Sequence, residues 1–110
     1  MEIEDKGVSL ANWSELIRKE TAGKVGNSIE ATLEYGNIRV RKIEYSPGYI
    51  ADHWCCKGHI VFILEGAMKI KRKNGEEFTV SKGMSFICGE NDINPHMAYS
   101  DSGASILIID

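Results

Sequence analysis

The stretch Asp52-His53-Trp54-Cys55-Cys56-Lys57-Gly58-His59-Ile60-Val61-Phe62-Ile63-Leu64-Glu65-Gly66 (DHWCCKGHIVFILEG) changes character half-way along. Its first eight residues hold two of the three histidines in the chain and two of its three cysteines. From His59 to Leu64 it is almost wholly apolar, as expected for a strand inside a closed or sandwiched sheet. Ionisable, metal-loving side chains crowded ahead of a buried strand call for an explanation. The third histidine, His96, has to be part of it.

On both sides of this stretch the apolar residues recur with a period of two. Ile29, Ala31, Leu33 and Tyr35 alternate with Glu30, Thr32 and Glu34, the pattern of a half-buried strand. A turn at Gly36-Asn37 leads into Ile38 to Tyr45, where the alternation slips near Lys42 and predicts a bulge. Ser46-Pro47-Gly48 reads as a turn. Met68 and Ile70 point one way, and Lys69, Lys71 and Lys73 the other. That basic run is therefore the wet face of a strand rather than a phosphate-binding patch. Asn74-Gly75 predicts a hairpin with a type I′ turn. Phe78 with Val80, Met84 to Cys88, Met97 to Tyr99 and Ser105 to Ile109 supply further short strands, separated by Gly, Pro and Asp turns. The whole predicts an all-β sandwich or barrel over residues 28–110. Residues 9–19 carry the one helical stripe, Leu10, Trp13, Leu16 and Ile17 with Ser9 as cap. Residues 1–27 are thus expected to form a short N-terminal helix and a linker, the helix packed outside the β part.

A chain of 110 residues is one domain by length. It is 43% hydrophobic and 26% charged, the balance of a soluble globular protein. The net charge of −3 gives no footprint for a nucleic-acid partner. No apolar run reaches membrane-spanning length, and Met-Glu-Ile-Glu-Asp opens without the apolar core of a signal peptide. An odd number of cysteines, two of them adjacent, is a poor disulfide framework, so free thiols in a reducing cytoplasm are expected.

His53 and Cys55 are two residues apart, so on one strand both would point to the same face. His59 begins the next strand after a Cys56-Lys57-Gly58 turn, and His96 opens a later one. Imidazole and thiolate are the usual protein ligands of zinc, iron, nickel and copper. Any one of these residues taken alone reads best as a local hydrogen-bonding group or, for the cysteine, a small hydrophobe. Three histidines converging with Cys55 favour a metal site. Cys56 and Trp54, on the opposite face of such a strand, would point away from it, Trp54 onto an outer surface. Asp52 is either an imidazole partner or a turn cap. Arg39 and Arg41 either line the mouth, where they could bind a carboxylate, or are simply solvated. Tyr35, Tyr45, Tyr49 and Tyr99 are expected to pack, with a polar handle to spare.

The order Pro47-Gly48, His53-x-Cys55-x3-His59, Leu64-Glu65-Gly66 resembles the first cupin motif, and Gly83-Met84-Ser85-Phe86 followed by Pro95-His96 resembles the second. Within the cupins the sequence is similar to the small single-domain proteins named for a DHCW motif, through Asp52-His53-Trp54-Cys55. The resemblance covers residues 36–110. It implies a double-stranded β-helix barrel (a jelly roll), a homodimer, and a divalent transition metal held by both motifs. Zinc or iron comes first, with nickel, manganese or copper as further options. Residue by residue it implies His53, Cys55, His59 and His96 as metal ligands. His59 stands where the motif has glutamate, Cys55 where it has histidine, and Ser100 near the place of the second motif's asparagine. The activity implied is that of an enzyme on a small organic molecule, of oxygenase, isomerase or lyase type. The alternative is a non-catalytic module that senses a small molecule or the metal. A purely structural metal ranks below both, because a domain of this size has its own core.

Overall fold

The computed structural model describes residues 2–110. Among them nine strands form one curled sheet, a half-barrel: β1 (Arg18–Ala22), β2 (Asn27–Tyr35), β3 (Ile38–Tyr45), β4 (Tyr49–Ile50), β5 (His59–Arg72), β6 (Glu77–Ser81), β7 (Ser85–Cys88), β8 (His96–Ser100) and β9 (Ala104–Ile109). The order is β1-β2-β3-β9-β5-β8-β4, with β6 and β7 also pairing with β5. Among the described residues no helix is long and apolar enough to cross a membrane.

The long strand β5 organises the sheet. Its first half pairs with β9 and β7, its second half with β6 and β8. In the first half the buried residues are His59, Val61 and Ile63; in the second they are Met68 and Ile70. The inward phase thus moves from odd to even numbers. A register shift between Ile63 and Glu65 supplies the extra residue, and Gly66, at φ +74°, completes the bend. Both halves therefore face one interior. There Val61, Ile63, Met68 and Ile70 join Ile43, Val80, Ala104, Ile106 and Ile108 in the core. Burying each large side chain contributes about 1.5–3 kcal/mol.

Three expectations are corrected. The 9–19 helix does not form: a 3-10 turn spans Trp13–Glu15, with Asn12 rather than Ser9 accepting the hydrogen bond that caps it. Eleven residues are too few for a helix without a packing partner. Here Leu10 and Ile17 are 90% and 92% exposed, and β1, pairing with β2, takes the chain from Arg18. The bulge lies in β5, not near Lys42; the β2–β3 register runs unbroken from Ser28↔Tyr45 to Tyr35↔Ile38. The apparent slip arose because β3 turns two arginines inward at its start and apolar residues inward at its end, on an unchanged period of two. The Asn74-Gly75 hairpin forms, but only Gly75 has positive φ, so the turn is not type I′. Gly75 N–H donates to Arg72 C=O and Arg72 N–H to Glu76 C=O, a turn followed by a left-handed glycine.

A Cβ on Gly66 would stand 2.2 Å from the Gly103 carbonyl oxygen, whereas one on Gly75, at φ +97°, meets open space. We expect Gly66→Ala to cost at least about 3 kcal/mol and Gly75→Ala about 1–2 kcal/mol, the strain alone. Urea-denaturation midpoints of the two variants check this; equal losses would remove the bend in β5 from its central place.

Candidate metal centre

The donors are set by strand ends. Cys55 stands outside the named strands but forms a two-hydrogen-bond bridge with His96, the first residue of β8. His59 is the first residue of β5, with an inward side chain. As a result Cys55, His59 and His96 each offer one donor atom, and these atoms lie within 4.8 Å of one another. Cys55 Sγ is 3.3 Å from His59 Nε2, and the two imidazoles meet edge to face at 5.3 Å between centroids.

On its other side His59 is held by Asp110. The Nδ1–H donates to Asp110 Oδ2 at 3.0 Å, which directs the Nε2 lone pair toward Cys55 and His96. Asp110 also takes a two-pronged contact from Arg39, at 2.9 and 3.0 Å, and one from Arg41 Nη2 at 3.0 Å. Its backbone exchanges both hydrogen bonds with Arg39. Burial by itself would raise this carboxyl, but the Arg39 hydrogen bond and the charges of Arg41, Arg39 and His59 outweigh it and bring it to about 2. Burial lowers both His59 and His96, more than the Asp110 charge raises His59. Both rings are thus neutral at pH 7, the form that binds a metal.

The structure brings together three of the four expected ligands. His53 lies apart: residues 52 and 53 form a bend instead of running as a strand, and the ring is 75% exposed with Nδ1 2.6 Å from Asp52 Oδ1. Both residues line a cavity of about 470 Å³ that the three donors also line. Trp54 lines that cavity as well, with Lys73 Nζ 5.8 Å from the ring centroid, not an outer surface as expected. Cys56 is exposed. Arg39 and Arg41 are occupied by Asp110, so neither is a free carboxylate receptor. Tyr45 packs on Tyr49 inside the cavity, and Ser100 is buried, donating to the Ala67 carbonyl.

Two residues near the donors escaped the sequence reading. Asp110 continues the inward series Ala104, Ile106, Ile108 by one more step of two, and Cys88 follows Phe86 in the same way. Period-two counting carried to the end of β7 and one residue past β9 reaches both.

The donor chemistry fits a divalent transition metal. Two imidazoles and a thiolate suit zinc or iron, and a tetrahedral ion holds such atoms about 3.5 Å apart. No protein-family model matches the sequence, and no curated protein matches it. Solved structures do. A predicted oxalate decarboxylase from Thermotoga maritima aligns at 16% identity over 92% of this chain and 96% of that one, with a TM-score of 0.76. An RmlC-like cupin from Shewanella frigidimarina aligns at 15% identity over 99% and 92%, with a TM-score of 0.73. The iron(II) form of HppE aligns at 15% identity over 96% of this chain and 61% of its own, with a TM-score of 0.73. The chain has the cupin fold.

Asp110→Asn keeps the shape but removes the charge between two arginines and His59. We expect a loss of about 3 kcal/mol, as for other broken buried pairs. Because the folded carboxyl titrates near 2, below its unfolded value of about 3.9, its contribution is complete above pH about 4 and is lost as pH falls through 2. Urea titrations between pH 2 and 7 should show this acid phase in the parent and not in Asp110→Asn.

Proposed function

We propose that this chain is a metal-binding cupin in which Cys55, His59 and His96 hold a divalent transition ion, zinc or iron, beside a cavity that admits a small organic molecule. The observation that carries this is the convergence of the three donors within 4.8 Å on the wall of that cavity. A double-stranded β-helix barrel goes with the reading, since the two inward phases of β5 address one cavity. Cys55, His59 and His96 would hold the ion, which would supply Lewis-acid or redox chemistry to a small molecule in the cavity. The chain's own residues have simpler tasks. Asp110 fixes the His59 tautomer. Met68, Ile70 and Phe86 exclude water from the cavity floor, and Tyr45 and Tyr49 form an aromatic side wall. The reading is therefore an enzyme of oxygenase, isomerase or lyase type. That one structurally similar protein is an iron(II) form supports metal binding on this fold, and that another is a predicted oxalate decarboxylase supports an enzyme, but neither chooses among reactions.

A second reading is a non-catalytic module that holds the metal or a small molecule. It is favoured by one feature, a second thiol beside His96. Self-association is also part of the proposal. Phe62, Leu64 and Ile87 are exposed on the outside of the sheet, and Val8, Leu10 and Ile17 on the N-terminal arm. A second copy of the chain, its arm laid on that face, covers both sets at once.

Purified protein should take up one zinc or iron(II) per chain in equilibrium dialysis. Cys55→Ser and His96→Ala should each weaken binding at least about tenfold, while Cys56→Ser and His53→Ala leave it within about twofold. Protons compete for the histidines, so affinity falls as pH drops below about 6.5. No uptake, or a His96→Ala variant that binds as tightly as its parent, would overturn the proposal.

A further inference from the structure

We propose that Cys88 is the fourth ligand of this metal, so that the resting site is a closed Cys55-His59-Cys88-His96 tetrahedron. The inference rests on the reading of Cys55, His59 and His96 as a metal centre, and deepens it.

Cys88 is the last residue of β7, directly opposite His59 in the β5–β7 register. Cross-strand partners project to the same face, and His59 faces inward. Ile87, 77% exposed, takes the outward direction, which leaves Phe86 and Cys88 pointing in. The Cys88 sulfur lies 3.9 Å from His96 Nδ1. Its other polar neighbours are the Lys57 carbonyl, also 3.9 Å away, and the His59 backbone. A tetrahedral zinc site has sulfur–nitrogen edges of about 3.6 Å, from bonds of about 2.3 and 2.05 Å. As placed, the Cys88 sulfur is not among the donor atoms that lie within 4.8 Å of one another, so the closed tetrahedron needs Cys88 to turn from its present position. The proposed site takes the sulfur toward His59 and Cys55 by a change of side-chain rotamer.

His96 is common to the walls of two cavities. Cys55 and His59 stand with it on the first, and Cys88 on a second of about 390 Å³. An ion held by both sulfurs would be closed by four protein ligands. Two thiolates and two neutral imidazoles are a zinc set, softer than sites with a carboxylate. His53, out on the rim, is not needed to complete it. Exposure of the ion to a small molecule then requires Cys88 to leave, and the second cavity gives its side chain room to do so.

Cobalt(II) reports the number of bound thiolates, because each sulfur adds to the near-ultraviolet charge-transfer band while the visible bands report four-coordination. Reduced, metal-free protein is titrated with cobalt chloride as parent, Cys55→Ser, Cys88→Ser, the double variant and His53→Ala. We expect each single cysteine variant to show about half the parental charge-transfer intensity, the double variant none, and His53→Ala all of it. A measurement on the parent alone guards against misfolded variants: alkylation with iodoacetamide, read by mass spectrometry, with and without one equivalent of zinc. Zinc should slow the labelling of Cys55 and Cys88 at least tenfold and leave Cys56 unchanged. If Cys88→Ser keeps the full parental band, or Cys88 labels at the same rate with and without zinc, Cys88 is not a ligand and the three-donor site stands by itself. If the parent binds neither cobalt nor zinc, the metal centre itself falls, and this inference with it.

Discussion

The rest of the molecule depends on one extra residue in β5. A strand alternates faces, so a straight run of fourteen residues with Val61 and Ile63 inside would put Met68 and Ile70 outside. The shift between Ile63 and Glu65 prevents this, and Gly66 is the residue that can follow the bend, because the Gly103 carbonyl occupies the space of a side chain. The consequence goes beyond core burial. With both halves facing inward, β5 presents His59 from one half while the other half, through Arg72↔His96, positions the first residue of β8. The two imidazoles meet because the strand between them changes phase.

The charged cluster behind His59 follows a different energetic rule. Arg39 and Arg41 point inward on β3, where transfer from water is costly, and Asp110 and Glu30 offset that cost through direct contacts. Such clusters add little net stability over apolar residues of the same volume. What they contribute is direction. Three cationic or N–H donors converge on Asp110 and keep it ionised, and an ionised acceptor holds the proton of His59 on Nδ1. The polar interior of this sheet is understood better as the support of one imidazole than as a source of stability.

Legibility in the sequence followed how local each determinant was. Strands with one wet face, such as Ile29 to Tyr35 and Met68 to Lys73, were plain from their alternation, and a barrel-like β fold followed from them. Cys55, His59 and His96 stand out in the sequence by residue chemistry and position, and the structure places their donor atoms within 4.8 Å of one another. The helix at 9–19 was misread because its stripe says nothing about whether a partner surface exists, and none covers Leu10 or Ile17. The slip near Lys42 was misread because inward arginines imitate a phase change when their acceptor, Asp110, lies 69 residues away. His53 was grouped with Cys55 by a period of two that holds only for extended chain, and the backbone bends at that point. Cys88 and Asp110 were passed over for want of a motif, although their phase on β7 and β9 was available.

The residues around this cluster sit at or just beyond strand ends: His59 and His96 begin strands, Cys88 finishes one, Asp110 follows β9 directly, and Cys55 is bridged to the first residue of β8. Such positions combine two properties that a metal site needs. The last rungs of the ladder still fix which face the side chain takes, as the backbone pairs of Asp110 with Arg39 and of Cys55 with His96 do here. Past those rungs the chain is loop, and its residue types can change without disturbing Val61, Met68 or Ile106 in the core. The core and the coordination chemistry are thus separable by position along the same strands. Changes of residue type at 55 and 59 can therefore alter the donor set while leaving the packing that holds the sheet together untouched.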